Sequence, residues 1–216
     1  MARLRLRGRA PITLALLLLN GVIWLGQISP IGSLFTTQLM YVPVLTVFEP
    51  YRMLSAGFVH DPSGPIHILF NSYAIWIFGS QLEPLLGKVR FLALYLVSIV
   101  GGSVVVLLLS DPRIPVVGAS GAFFGLMGAF FIVLRSLGQN PGQLVLLIGM
   151  NLFLGFLVPG ISWEGHLGGL ITGAAIGAVY TQSRGKPNAV ASQLLGLLGV
   201  CAVLFALTWA KVQGLI

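Results

Sequence analysis

The sequence predicts an all-α, polytopic membrane helix bundle. Of its 216 residues, 56% are hydrophobic and only 8% are charged, whereas soluble domains carry about 25% charged residues. The mean hydropathy of +0.97 agrees with a membrane environment. Glycine is frequent, with 28 residues, which is typical of membrane helices that pack closely together. This composition excludes a soluble enzyme, a nucleic-acid-binding domain and a disordered tail.

Seven apolar stretches are long enough to be transmembrane helices, which need about 20 residues each. The first follows a group of arginines and continues without a small-residue cleavage site, which favours an uncleaved helix over a removed signal peptide. We expect the ends to be accurate to a few residues. The predicted spans are 11–28, 65–82, 90–109, 116–135, 142–158, 164–182 and 190–210.

The positions of lysine and arginine predict the direction of these spans. With the N-terminus in the cytoplasm, nine of the twelve fall inside and three outside, as the positive-inside rule requires. Seven spans then place the C-terminus outside. The formal net charge of +7 is thus a topology signal and needs no nucleic-acid partner. The inner residues are Arg3, Arg5, Arg7, Arg9, Lys88, Arg90, Arg135, Arg184 and Lys186, and the outer ones are Arg52, Arg113 and Lys211.

The connection between the first two spans, residues 29–64, is long and apolar. Pro30, Pro43 and Pro50 interrupt it, so it cannot form a straight transmembrane helix. An apolar but broken segment is expected to lie in the membrane interface, partly embedded. Two interpretations stay open: the loop is a structural lid over neighbouring helices, or it handles a substrate.

Four polar residues lie within apolar spans, where polar groups are costly and tend to mark function. They are His67 and Asn71 on the second span, Ser120 on the fourth and His166 on the sixth. These spans run in the same direction, and each residue is near the start of its span. With a rise of about 1.5 Å per residue, all four are expected at a similar depth in the outer leaflet.

Ser120 and His166 each belong to a helix face of small residues. After Ser120 come Gly121, Gly125 and Ala129, which are four residues apart from one another, and this spacing by itself also fits a helix-packing stripe. His166 shares its helix face with Gly169, Gly173 and Gly177, since residues three, four and seven apart align on a helix. Another backbone can therefore approach His166 closely.

This pair fits nucleophilic catalysis. A neutral imidazole can take the proton of a serine hydroxyl during attack, and no transmembrane aspartate is present to complete a triad. Phe124, one turn after Ser120, could fix the imidazole instead. His67, Asn71 and the Ser120 N–H could stabilise an oxyanion; alternatively, Asn71 makes an interhelical hydrogen bond. With one cysteine, Cys201, the sequence offers no ligand set for a metal, and no cofactor is expected.

The order of these motifs resembles that of the rhomboid family of intramembrane serine proteases. The family usually has Trp-Arg where this chain has Tyr51-Arg52, which leaves an aromatic ring with a polar tip at the interface. The matching residues are Tyr51-Arg52, Phe58, His60, His67-x-x-x-Asn71, Glu83, Gly87, Gly118-Ala119-Ser120-Gly121 and His166-x-x-Gly169-x-x-x-Gly173.

The resemblance implies a rhomboid-like fold of six helices plus one. Residues 1–10 would be a basic cytoplasmic N-terminus, 11–182 the catalytic core, and 183–216 a linker with an extra C-terminal transmembrane helix. It implies Ser120 as nucleophile and His166 as general base. The His67 and Asn71 side chains and the Ser120 N–H would form the oxyanion hole. Supporting residues would be Phe124, Gly118, Gly121, Gly169, Gly173, Tyr51 and Arg52.

The expected function is that of an intramembrane serine endopeptidase. It would cut transmembrane segments of other proteins near the outer face of a bacterial inner membrane, with the fifth span and the following cap gating access. The partners are thus transmembrane substrates and the lipid bilayer. One alternative is a catalytically silent rhomboid-like protein that binds transmembrane helices. A second alternative is a small transporter, which would need a continuous polar path through the bilayer, whereas the polar groups here stop in the outer leaflet.

Overall fold

A computed structural model describes residues 9–216, and within that range the chain is helical and forms no strand. Arg3, Arg5 and Arg7, which contributed to the predicted orientation, lie outside the described residues. Two short 3₁₀ turns, Pro43–Leu45 and Ala56–Phe58, join the helices. The helices are α1 (Pro11–Gln27), α2 (Gly32–Leu39), α3 (Arg52–Ser55), α4 (Ile66–Leu86), α5 (Lys88–Leu109), α6 (Ser120–Ser136), α7 (Gly142–Leu157), α8 (Trp163–Gln182) and α9 (Ala189–Val212).

Helix α6 begins four residues later than the predicted span. Residues 116–119 are not helical, because Val116 pairs with Tyr41 of the first loop through two backbone hydrogen bonds of 3.0 and 2.8 Å. Gly118 then takes a φ of +129°, a left-handed conformation that interrupts a helix and suits glycine. Ser120 is consequently the first residue of α6 rather than the fifth residue of a helix that begins at residue 116.

Two helices, α5 and α9, are both long and apolar enough to cross a membrane. Three shorter apolar helices accompany them, namely α1, α6 and α7. The two remaining long helices are α4 and α8. They contain three of the four polar residues that the sequence marks as candidate site residues, namely His67, Asn71 and His166. Their polar content is what separates them from ordinary apolar spans.

Helices α5, α6 and α8 form the centre of the bundle through backbone-to-backbone packing at glycines. A Cβ placed on Gly169 would lie 2.0 Å from the carbonyl oxygen of Gly121, and one on Gly173 would lie 2.0 Å from that of Gly125. Any side chain there would collide with the neighbouring backbone. This close approach fixes α8 against α6 over two turns, and it follows the face that carries His166.

The first helix is attached by the carboxylate of a distant glutamate. The first turn of α1 has no side-chain cap of its own. Glu83, near the end of α4, accepts hydrogen bonds from the N–H groups of Ile12 and Thr13 at 2.9 and 2.8 Å, and from the Thr13 hydroxyl at 2.8 Å. A negative charge at a helix N-terminus is favourable. Glu83 therefore satisfies two free N–H groups of the first turn of α1 and anchors this helix to α4.

The ends of the bundle differ in charge. The start of α1, the α4–α5 turn, the end of α6 and the end of α8 meet at one end, where Glu83 reaches α1 and Tyr180 donates to the carbonyl of Arg90. We call this end the basic face; its described cationic residues are Arg9, Lys88, Arg90, Arg135, Arg184 and Lys186. The opposite end contains Glu49, Asp61, Asp111 and Glu164, four of the five acids of the chain.

Candidate active site

Ser120 is the first residue of α6 and is half-buried. The Gly118 N–H bonds to the Ala56 carbonyl at 3.0 Å, which holds the turn before α6 against the first loop. The N–H groups of Ser120, Gly121 and Ala122 belong to the first helical turn and have no intrahelical acceptor. They also lie at the positive end of the helix dipole. This terminus can therefore stabilise negative charge beside the Ser120 hydroxyl.

His166 is buried one turn inside α8 and stacks on an aromatic ring of α6. Its imidazole lies face to face with Phe124, with ring centroids 4.2 Å apart and an interplanar angle of 14°. Phe124 is itself fully buried and lies one turn after Ser120. The imidazole of His166 is therefore held against the first turns of α6, where Ser120 also lies.

No hydrogen bond joins the Ser120 hydroxyl to His166 within residues 9–216. The Nδ1 atom of His166 is buried and has no partner in this range; it lies 3.6 Å from the position that a Cβ on Gly155 would occupy. Hydrogen bonds of a catalytic pair are often long in the absence of substrate and tighten in the complex. The structure thus brings the two side chains to the same end of α6 and α8 without closing the contact.

His67, at the start of α4, converges on the same point as Ser120. Its Nδ1 accepts a hydrogen bond from the Asp61 N–H at 3.1 Å, so the neutral ring carries its proton on Nε2. A Cβ on Gly118 would lie 3.0 Å from this Nε2 and 3.6 Å from the Ser120 Oγ. The donor nitrogen of His67 therefore faces the turn that precedes the serine.

Asn71 lies one turn further along α4 and is buried. Its side-chain amide donates to the His67 carbonyl of the same helix at 2.9 Å. The Oδ1 atom is buried without a partner in the described part of the chain. One of the two amide N–H groups is thus engaged within α4, and the other has no acceptor within residues 9–216.

His60 supports His67, a role that sequence reasoning did not assign. The His60 ring is fully buried and meets His67 edge to face, with centroids 5.3 Å apart. Gln27 of α1 clamps its backbone through the His60 N–H at 2.9 Å and carbonyl at 2.6 Å. Burial, with a smaller effect of neighbouring His67, lowers the pKa of His60 to about 4. His60 is therefore neutral near pH 7 and presents no charge to His67.

The aspartate beside this pair stays ionised. Hydrogen bonds from the backbone and the side chain of Ser63 hold the pKa of Asp61 below its ordinary value. The backbone bond runs from the Ser63 N–H to the Asp61 carboxylate, at 2.9 Å. These local bonds order the turn that presents the Asp61 backbone N–H to His67, and so they maintain the tautomer described above.

The aromatic–arginine pair of the first loop folds the loop rather than touching Ser120. Arg52 is buried, pairs with Glu49, and donates to the backbone carbonyls of Thr37 and Met40. Its guanidinium lies 5.5 Å from the centre of the Tyr51 ring, within the range of a cation–π contact. The tyrosine therefore keeps the interaction that an aromatic residue can make with Arg52.

A small cavity adjoins Ser120 on the side away from α4. Its volume is about 30 Å³, above the roughly 10–15 Å³ that a cavity needs to hold one water molecule. Tyr41, Gly57, Ser120 and Ser162 contribute to its wall. A cavity of this size and position can receive a water molecule or a very small side chain next to the serine.

The side of His166 that faces α7 is loosely covered. Only Leu144 and Gly155 of α7 are buried. The main aromatic contact between α7 and α8 is the stack of Phe156 on Trp163, with centroids 4.6 Å apart. Within residues 9–216, no three histidine, cysteine or acidic side chains form a group that could hold a metal ion.

Comparison with known proteins agrees with this architecture. Residues 47–183, more than half of the chain, match the family model of the rhomboid domain. The chain belongs to the rhomboid family. The prediction of an all-α, rhomboid-like membrane bundle is thereby confirmed, and this rhomboid is a multi-pass integral membrane protein.

Named relatives come from bacteria and plants. The chain is 36% identical over 161 residues to the rhomboid protease GluP of Bacillus subtilis, covering 69% of this chain and 30% of GluP. It is 30% identical over 182 residues to the putative rhomboid protease YdcA of the same species, covering 81% of this chain and 90% of YdcA. It is also 35% identical over 138 residues to RHOMBOID-like protein 6, mitochondrial, of Arabidopsis thaliana, covering 61% and 44%. This rhomboid thus matches less than half the length of GluP and of the plant relative.

Proposed function

We propose that this rhomboid is an intramembrane serine endopeptidase with Ser120 as nucleophile and His166 as general base. The observation that carries the proposal is the stack of His166 on Phe124, one turn after Ser120, on two helices whose backbones touch at Gly121 and Gly169. Because the imidazole of His166 on α8 packs against the helix that begins with Ser120, at the same end of the bundle, the two side chains are suitably placed for proton transfer.

In the proposed reaction, the Ser120 Oγ attacks the carbonyl carbon of the scissile peptide bond while His166 takes the hydroxyl proton. The resulting oxyanion is stabilised by the Ser120 N–H, the His67 Nε2–H and the free amide N–H of Asn71. Collapse expels the amine, which receives the proton from His166 and leaves Ser120 acylated. Water, deprotonated by His166, then attacks the ester carbonyl. Collapse breaks the bond to the Ser120 Oγ, which takes the proton back from His166, and the product leaves as a carboxylic acid that ionises in water.

The substrates in this proposal are transmembrane segments of other proteins, cut near the membrane face opposite the basic face. Peptide bonds in a helix are shielded by their own hydrogen bonds, so segments with weak helix formers at that depth are cut best. The cavity of about 30 Å³ beside Ser120 favours a small residue on the acyl side of the bond. We further propose a bacterial inner membrane with the basic face in the cytoplasm.

The test is cleavage of a tagged single-span substrate by the purified protein in liposomes. Wild type should cut, and Ser120→Ala and His166→Ala should not; Ser80→Ala is the control for a serine outside the site, because the Ser80 hydroxyl only donates to the Ile77 carbonyl of its own helix. The product mass should place the bond after a small residue near the outer face. If the folded wild type cuts none of several helix-destabilised substrates but still binds them, the protein is a silent binder of transmembrane helices.

A further inference from the structure

The basic face contains a second cavity, separate from the candidate active site. Its volume is about 700 Å³, within the range of about 300–1,000 Å³ that is common for small-molecule sites. It lies between the ends of α4, α6 and α8 and the starts of α5 and α9. Residues of its wall include Arg90, Gln139, Tyr180, Arg184 and Gln193.

Two arginines of this wall lack an acidic partner. Within residues 9–216, the one ion pair of the structure joins Arg52 to Glu49 at the opposite end. The sequence has five acids, and the one nearest this face, Glu83, is occupied by the first turn of α1. Arg90 and Arg184 therefore give the cavity an excess positive charge, which favours an anionic occupant.

Arg90 is held in place by neutral groups only. Its Nε donates to the side-chain oxygen of Gln193 at 2.6 Å, and its Nη1 donates to the Leu86 carbonyl at 3.2 Å. An arginine has five N–H donors in a planar fork, so these two bonds orient the guanidinium and leave donors for a ligand. The planar fork matches phosphate geometry.

Helix α9 completes the cavity. Gln193 is the one residue of α9 that is buried, and it is the residue that bonds to Arg90. Gly196, one turn later, lets α9 approach closely, because a Cβ there would lie 2.5 Å from the Val179 side chain. The rest of the helix exposes apolar residues such as Val190, Leu194 and Leu195. The match to the rhomboid domain ends at residue 183, so α9 and Arg184 lie beyond it.

We propose that this cavity binds the phosphate headgroup of an anionic phospholipid from the leaflet at the basic face. The helix ends place Arg90 and Arg184 at headgroup level, where basic pockets between transmembrane helices suit anionic lipids. The glycerol and upper acyl chains would contact Leu85, Leu137 and the exposed apolar surface of α9. The proposal concerns α9 and does not depend on proteolysis.

The test measures thermal unfolding of the full chain in a neutral detergent, titrated with short-chain phosphatidylglycerol. The melting temperature should rise saturably with this lipid, and the same additions of short-chain phosphatidylcholine should leave it unchanged. In Arg184→Gln, the midpoint of the titration should move to at least about tenfold higher lipid, as expected for loss of a charge-assisted hydrogen bond. Arg135→Gln is the matched control, because Arg135 is exposed on the same face but is not part of the cavity wall.

Three results would overturn the proposal. The first is an equal response to the anionic and zwitterionic lipids, and the second is an equal shift of the midpoint in Arg184→Gln and Arg135→Gln. The third is full saturation by inorganic phosphate at the concentration that suffices for the lipid, which would make the ligand a soluble anion. Native mass spectrometry supplies a readout independent of stability: wild type and Arg135→Gln should retain one phosphatidylglycerol that Arg184→Gln loses.

Discussion

The two sides of His166 are packed in opposite ways. Towards α6, glycines bring backbone against backbone, and a Cβ on Gly169 would lie 2.0 Å from a carbonyl oxygen. Towards α7, His166 is covered only by a helix that has two buried residues and makes one aromatic stack with α8. The tight side can hold a histidine in position, because close-packed backbone does not yield to small forces. The loose side is the one that could open to admit a substrate helix.

The largest expected effect comes from filling the tight side. Gly169→Ala places a methyl group on the Gly121 carbonyl and should lower the free energy of unfolding by about 3 kcal/mol or more. Proteolytic activity should be lost with the fold. The measurement is unfolding in mixed micelles. Gly149→Ala on α7 is the control, since its Cβ meets nothing within 4 Å; it should be neutral or slightly stabilising. An equal loss in both variants would refute the asymmetry.

The next effect is on the proposed oxyanion hole. Gly118→Ala strains a φ of +129° and places a methyl group 3.0 Å from the His67 Nε2. Displacement of that donor should lower kcat by about 100-fold, as the loss of one oxyanion donor does elsewhere. Steady-state cleavage of a model substrate measures this effect. Gly64→Ala, where the Cβ is in open space, should retain wild-type kcat; unchanged kcat in Gly118→Ala would remove His67 from the proposed hole.

Removal of the stacked ring should have a smaller effect. Phe124→Leu removes the ring stacked on His166 and leaves only the tilted contact with Phe123, whose centroid is 6.3 Å away. It should lower kcat/KM by about tenfold, since aromatic pairs contribute about 0.5–1.5 kcal/mol. Phe130→Leu is the control, because Phe130 is also on α6 but contacts Phe78 instead. Rates are compared per folded protein. A similar decrease in both variants would mean that the stack only stabilises the fold.

The smallest effect should be an increase in activity. Phe156→Ala removes the stack on Trp163, and we expect cleavage of a transmembrane substrate to rise a few-fold, with less than about 1 kcal/mol lost from stability. Phe153→Ala is the control, since Phe153 is as exposed as Phe156, at 62% and 63%, and forms no aromatic stack in residues 9–216. A decrease in activity would indicate that α7 positions the substrate rather than restricting its entry.

The fold was more predictable from the sequence than the contacts of the site. Glycines at intervals of four on two helices indicate a close backbone approach, because only glycine permits it, and Gly169 and Gly173 of α8 indeed pack against the backbone of α6. The aromatic position of Phe124 one turn after Ser120 follows from helix periodicity in the same way. These features depend on spacing within one helix, which a sequence displays directly.

Contacts between segments that are far apart in the chain cannot be predicted from residue spacing in this way. The Gln27–His60 clamp and the Glu83 cap of α1 join residues that are 33 and about 70 positions apart. The inward direction of Arg52 depends on how the first loop folds over itself. The predicted fourth span starts before α6 because the bridge between Tyr41 and Val116, which keeps residues 116–119 out of the helix, is a tertiary contact. Hydropathy alone cannot distinguish apolar extended residues from apolar helical ones.

The most direct test of the central claim is covalent labelling with a fluorophosphonate, followed by peptide mapping. The Ser120 Oγ should displace fluoride and form a phosphonate ester when His166 takes its proton. The account predicts an adduct on Ser120 in the folded wild type, with Ser98, Ser103 and Ser162 unmodified, and its absence in His166→Ala and in heat-denatured protein. No adduct in the folded wild type, or an equal adduct in His166→Ala, would contradict the assignment of this pair.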